Sequence, residues 1–149
     1  MPILNDQQLR QVGITILWAA GTPQADAELV AEELAEANLS GHDSHGIIRL
    51  KQYIDYIDEG VIRPGAEVQI VKDLPAVALV DGGRNFGQVV ARKALEWAVN
   101  GARKSAGFSV FCRGSNHVGR LGSYARRAAL QGFVAVTAVN GPGVGGGVV

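Results

Sequence analysis

The spacing of apolar residues along this chain changes once, at Pro64-Gly65, and no single kind of secondary-structure layer can be built from both sides of that break. Before it the period is helical. Asp6 reads as a helix N-cap, and Leu9, Val12, Ile16 and Ala19 recur at near-helical spacing until Gly21 supplies a stop. Thr22 as cap and Pro23 as first helical residue restart the pattern, with Leu29, Val30, Leu34 and Ala37 forming an apolar stripe beside an acidic face. A third helix is expected to open at Asp43-Ser44 and run to about Glu59, with Ile47, Leu50, Ile54 and Ile57 facing inward and Gly60 ending it. Trp18 and Trp97 sit on helical stripes and are expected in the core.

After the break the segments 67–71 and 76–80 are short, β-branched and bounded by turn residues, and Asp81-Gly82-Gly83 is a turn signal. Residues 88–104 read as helix and 108–112 as strand. A glycine-spaced loop follows at 113–122, then a helix at 123–131 and a strand at 133–139. The fold class is therefore α+β: a helical domain, 1–65, followed by the start of an α+β domain, 66–149. Residues 141–149 hold five glycines and no charge, and read as a chain interrupted rather than finished.

With 47% hydrophobic and 19% charged residues the chain suits a packed domain, and the lone Cys112 excludes an internal disulfide framework. Inside an apolar strand, Cys112 reads as a buried structural thiol. No stretch approaches the roughly 18 uninterrupted apolar residues of a spanning helix, so no membrane partner is expected and a cytoplasmic setting is the default. Net charge is zero, which gives no reason to expect nucleic acid. That zero hides a segregation. Residues 1–59 carry ten Asp/Glu against three Lys/Arg, a balance of −7, and the rest carry four against eleven, a balance of +7. The basic part either receives an anionic ligand or packs against an acidic surface.

Two clusters could carry chemistry. In Gly41-His42-Asp43-Ser44-His45 and the residues after it, His45, Arg49 and Tyr53 lie at i, i+4 and i+8, an arc of about 80° on one helix face. An imidazole can bond a polarised oxygen, a guanidinium can clamp a carboxylate with two bonds, and a phenol can add a third contact; the alternative is a solvated helix face. The second is Ser115-Asn116-His117-Val118-Gly119, between a strand and a helix, where a histidine is placed for proton transfer near neutral pH; the alternative is an exposed loop histidine. His42, Asp43, His45 and His117 lack the one-face spacing of helical zinc ligands, so no metal is expected. Neighbours in sequence, Ser44 and His45 are not expected to face each other as a nucleophile–base pair.

In their order along the chain, the Ser44-His45-Gly46 motif with Arg49 and Tyr53, the segment Phe86-Gly87-Gln88-Val89-Val90-Ala91 and the later Ser115-Asn116-His117-Val118-Gly119 resemble the malate/L-lactate dehydrogenase family. This family includes ureidoglycolate, sulfolactate and ketimine-reducing enzymes and is unrelated in fold to Rossmann-type lactate dehydrogenases. The resemblance covers nearly the whole chain and implies its N-terminal part only. It implies a helical domain joined to an incomplete α+β domain with a non-Rossmann, mixed or antiparallel sheet. It further implies reversible hydride transfer between NAD or NADP and a small 2-hydroxy or 2-oxo acid, and assembly as a homodimer. His117 then matches the general acid/base at the substrate's C2 oxygen, Ser44, His45 and Tyr53 match pocket residues, and Arg49 matches the carboxylate partner. Cofactor contacts are implied at Arg120, Asn140 and Gly141; Asn140-Gly141-Pro142 stands where the family usually has Asn-Ser-Pro. An inactive truncated paralogue, serving as an oligomerising or small-anion-binding module, is the competing reading.

Overall fold

The computed structural model describes residues 4–141. Five α-helices and three strands occur in the order α1 (Asp6–Ala19), α2 (Gln24–Leu39), α3 (Leu50–Asp58), β1 (Gln69–Leu74), β2 (Val77–Asp81), α4 (Gly87–Ser105), β3 (Ser109–Arg113) and α5 (Leu121–Ala129). The expected α+β class and mixed sheet are observed: β1 pairs antiparallel with β2, and β2 pairs parallel with β3. A parallel pair needs a long crossover, and α4 is that crossover. No helix among the described residues is long and apolar enough to cross a membrane.

The helices start where capping chemistry dictates, with some shifts from expectation. Asn5, not Asp6, caps α1: its Oδ1 accepts from Gln8 N at 2.9 Å while Gln8 Oε1 accepts from Asn5 N at 3.0 Å, a reciprocal capping box. Pro23 occupies the N-cap position of α2, and Thr22 is buried without capping. The inward face of α1 is Gly13 and Leu17 rather than the Leu9–Val12–Ile16–Ala19 stripe. Gly13 turns inward because a Cβ there would come within 3.0 Å of Ala31 Cβ, so the two helix backbones approach closely at that point. Val12 and Ile16 are consequently exposed, and Trp18, expected in the core, is 64% exposed. Trp97 does pack against the core.

The third helix is shorter than its pattern predicts. Two 3₁₀ turns, Asp43–His45 and Ile47–Arg49, precede α3, with extended Gly46 (ψ −155°) between them. Asn38, in the last turn of α2, causes the break. Its Oδ1 accepts from Ile47 N at 2.8 Å and its Nδ2 donates to Asp43 Oδ1 at 2.6 Å. A Cβ on Gly46 would sit 2.2 Å from Asn38 Oδ1, so only glycine lets the chain cross the amide here.

The core runs without interruption from the helical part into the sheet: Leu17, Leu34, Tyr53, Val80, Phe86 and Val89 belong to one buried cluster. Two expectations fail at the sheet margin. Cys112 is exposed, because β3 is an edge strand and only Val110 of its five residues is drawn inward. The expected strand at 133–139 has no ladder; Val134 and Val136 are almost fully exposed, and no strand among the described residues lies beside them to pair with. Of the glycine-rich run at 141–149, only Gly141 falls within the described residues.

The charge segregation is resolved inside the molecule. Glu33, 4% exposed, meets Arg92 at 2.9 Å and Arg127 at 3.2 Å and accepts from Ser123 Oγ at 2.6 Å. Glu36 meets Arg127 at 3.3 Å and Arg120 and Arg126 at 3.5 Å. The acidic face of α2 is thus solvated only in part: Glu32, Glu33 and Glu36 form the surface on which arginines of α4 and α5 dock, and the acidic partner of the basic part is this chain itself.

Candidate active site

His117 lies in the loop between β3 and α5, and the loop is fixed from three sides. Asn116 Nδ2 donates to the carbonyls of Arg84 (2.9 Å), Asn85 (3.1 Å) and Val61 (3.3 Å). Tyr124, buried on α5, donates its hydroxyl to the Val118 carbonyl. Gly87, the first residue of α4, lies so close beneath the loop that a Cβ would fall 2.2 Å from Asn116 O and 2.3 Å from His117 O. A loop held this tightly is a rigid mount for a side chain.

The His117 ring is reached from the opposite direction by α3. Tyr53, 1% exposed, places its hydroxyl 2.7 Å from His117 Nδ1. Gln88, fully buried in the first turn of α4, donates Nε2 to the same Tyr53 oxygen at 2.6 Å. The other ring nitrogen of His117, Nε2, is buried and without a partner among the described residues. The ring centroid of His45 lies 5.3 Å from that of His117.

Ser44 and Arg49 complete the cluster from the 3₁₀ segment. Ser44 Oγ and His45 Nδ1 are 3.0 Å apart, so these two side chains do meet, against expectation. Arg49 donates Nε to the Ser44 carbonyl at 2.6 Å and Nη1 to Gln52 Oε1 at 2.8 Å. Among the described residues it has no carboxylate partner, unlike the arginines on α2's acidic face. Its positive charge shapes the site electrostatics. Burial, with help from the nearby Arg49 and His45 charges, pulls the His117 imidazole down to about 4. The same three effects in weaker form, burial first, then Arg49 and His42, lower His45. Burial raises the Tyr53 phenol, which stays protonated.

His45, Arg49 and Tyr53 are therefore gathered with His117, although not on one continuous α-helical face, since the chain is 3₁₀ through Arg49 and α-helical only from Leu50. A solvated face is ruled out for Tyr53 by its burial. Sequence reasoning gave no role to Gln88, Asn38 or Asn116, which position the cluster. The available signal was a polar residue beside the apolar run Val89-Val90, since a buried amide needs a partner.

The proposed cofactor contacts are not assembled with these residues. Asn140 and Gly141 are exposed, and Arg120 is turned to Glu36 at 3.5 Å. Two grooves, one of about 290 Å³ beside Arg92, Glu96 and Arg127 and one of about 450 Å³ beside Trp97 and Phe108, lie away from His117. The His117 side of the cluster holds a buried ring nitrogen without a partner and, on Arg49, a guanidinium without a carboxylate partner, both among the described residues.

Over most of its length the chain is similar to known proteins of one family. The chain is 42% identical over 127 residues to a malate dehydrogenase of Pyrococcus abyssi, covering 85% of this chain and 35% of that protein. It is 37% identical over 138 residues to the L-sulfolactate dehydrogenase of Methanocaldococcus jannaschii, covering 93% and 40%. The solved structure of malate dehydrogenase from Pyrococcus horikoshii superposes with a TM-score of 0.84 at 35% identity, covering 87% of this chain and 37% of that one. The chain thus spans well under half the length of the relatives it matches, in agreement with an N-terminal part. Residues 4–144 match the family model described as malate/L-lactate dehydrogenase, and the chain belongs to that family.

Proposed function

We propose that this chain carries the proton-transfer and carboxylate-binding half of an NAD- or NADP-dependent oxidoreductase acting on a small 2-hydroxy or 2-oxo acid. The observation that carries the reading is the pairing of a buried His117 Nε2 without a partner among the described residues with an Arg49 that faces no carboxylate among them. A substrate carboxylate seated on Arg49 places a C2 oxygen near the imidazole, and a guanidinium suits that role because its donors form a planar fork. Ser44 and His45 line the same side, and Tyr53 holds the His117 ring in place. In the oxidative direction His117 accepts the proton of the C2 hydroxyl; in the reductive direction its conjugate acid returns it. A nicotinamide cofactor, when bound, supplies the acceptor for the hydride leaving C2. Arg120, Asn140 and Gly141 are its proposed contacts in the whole protein.

The dehydrogenase names of the relatives weigh against an inert module. We take residues 1–65 and 66–149 as the helical unit and the start of the α+β unit. The assembly is read as a cytoplasmic homodimer, for which exposed Val12, Ile16 and Trp18 on α1 offer an apolar surface. Light scattering after size exclusion tests the dimer.

The activity test is oxidation of malate, lactate and sulfolactate with NAD and NADP, followed by absorbance of the reduced cofactor, alongside fluorescence titration of the 149-residue chain with NADH. His117→Ala is expected to lower turnover by about 10²–10⁴. Unchanged turnover removes His117 from the chemistry.

A further inference from the structure

Gln88 is a costly residue for its position. It is 0% exposed in a helix turn flanked by Phe86, Val89 and Val90, where a methionine would fill the same volume without burying an amide. Its Nε2 has one partner, Tyr53 Oη at 2.6 Å, and its Oε1 is buried with none among the described residues. It also backs the catalytic loop: left-handed Gly119 (φ +76°) passes so near that a Cβ would stand 3.5 Å from Gln88 Nε2. Packing accounts for none of this.

We propose that Gln88 is a positioning residue whose amide orientation decides which ring nitrogen of His117 carries the proton. The proposal rests on His117 being the acid/base named above. A phenol has one proton to donate. When Gln88 Nε2 donates to the Tyr53 oxygen, the Tyr53 proton points to His117 Nδ1, 2.7 Å away. Nδ1 then accepts, and a neutral imidazole must carry its proton on Nε2. In this arrangement Nε2 donates and cannot take a proton from a hydroxyl.

A half-turn of the Gln88 amide about its last torsion puts Oε1 where Nε2 stands and reverses every bond in the chain. The ring changes tautomer with it: the Nε2–H bond breaks as that proton passes to water, and Nδ1 takes up a proton from water in its place. Tyr53 then donates to Oε1, its oxygen accepts from His117 Nδ1–H, and Nε2 is left with the lone pair. The imidazole is then a base. The O–H bond of the C2 hydroxyl breaks as an N–H bond forms at Nε2. The electron pair of the O–H bond would become the second bond of the C2 carbonyl, with the C2 hydride and its own pair passing to the acceptor that an oxidised nicotinamide would supply when bound. The imidazolium that results keeps Nδ1–H on the Tyr53 oxygen, so the flipped amide serves both the base and its conjugate acid. The orphaned Oε1 is explained as the acceptor of the second arrangement. Catalysis by a histidine depends on a third group that fixes its tautomer, and here that group acts through Tyr53.

The test reads the ring directly. The 149-residue chain, labelled with ¹⁵N-histidine, is observed by long-range ¹H–¹⁵N NMR at neutral pH, with circular dichroism confirming the fold of each variant. The wild-type His117 is expected to show a protonated Nε2 and a bare Nδ1. Gln88→Glu, measured above the ionisation of the new carboxyl, offers only acceptors to Tyr53 and is expected to exchange the two nitrogen shifts. Gln88→Met keeps the volume but removes the lock, and is expected to average them. Should the Glu variant fail to fold, the Met variant and the wild-type spectrum decide. A wild-type ring protonated on Nδ1, or folded variants with the wild-type pattern, overturns the proposal. Turnover plays no part in the spectrum: unchanged turnover in His117→Ala of the whole protein sinks the functional reading and leaves the tautomer result standing, and the reverse also holds.

Discussion

Glu33→Gln tests whether the acidic face of α2 holds the helical part and the sheet-bearing part together. The substitution keeps the shape and removes the charge. In the folded chain Glu33 is 4% exposed and accepts from Arg92 Nη1 at 2.9 Å and from Ser123 Oγ at 2.6 Å, with Arg127 at 3.2 Å. A glutamine can keep its oxygen on Arg92 and Arg127 and turn its NH₂ to Ser123, whose hydroxyl then accepts instead of donating, so what is lost is the buried negative charge. Removing one member of a buried pair costs about 3–5 kcal/mol. Here Arg92 keeps Glu32 at 3.3 Å, and Arg127 keeps Glu32 at 3.2 Å and Glu36 at 3.3 Å; both guanidinium side chains are also about a fifth to a quarter exposed. Those second partners and that solvent reduce the expectation to about 2–3 kcal/mol. For a chain of this length the melting temperature should fall by about 5–10 °C. Urea unfolding followed by far-UV circular dichroism measures it, with Glu32→Gln as control. Glu32 faces the same arginines but is 39% exposed, so its loss should cost under about 1 kcal/mol. Equal midpoints for the two variants would refute the argument that burial on α2, rather than charge count, makes the network matter.

Three further outcomes follow from the site and the sheet edge. His117 is held at about 4 against an ordinary 6.5, so the unfolded chain takes up its proton first; the stability this burial confers is complete above pH 6.5 and declines as pH falls toward 4, and His117→Gln should flatten that part of a stability–pH series. Gly87→Ala forces a methyl against two loop carbonyls and should cost about 1–3 kcal/mol and displace His117 in the NMR spectrum, whereas Gly107→Ala, with open space at its Cβ, should do neither. Exposed Cys112 should react with one equivalent of a thiol reagent without denaturant, at a rate that climbs only at more alkaline pH than for a free thiol, because partial burial pushes its thiol up; no reaction until unfolding would contradict the edge position of β3.

Elements with a strong local pattern were legible before the structure. The helical period of α2 and α4 and the breaker at Pro64-Gly65 place those elements within a residue or two of where they occur. The shared cluster was legible in outline too, since His45, Arg49, Tyr53 and His117 were all singled out. Failures fell where a distant residue overrides the local pattern. The third helix breaks because Asn38 of α2 takes the Ile47 N–H, and α1 turns Gly13 inward because Ala31 of a neighbouring helix requires a close approach. The 133–139 strand had the right alternation, yet a strand exists only by pairing.

The sequence by itself determined the α+β class, the family and the residue types of the candidate site, because helical and strand periods and short motifs depend on neighbours a few positions apart. Only the tertiary structure decided what those residues face. Gln88 meets Tyr53 across 35 positions, Tyr53 meets His117 across 64, and Ser123 meets Glu33 across 90. Hydrogen-bond direction and charge pairing are set by such contacts, and they turn a balance of −7 and +7 into an internal interface and a loop histidine into an imidazole with one nitrogen held and the other left open.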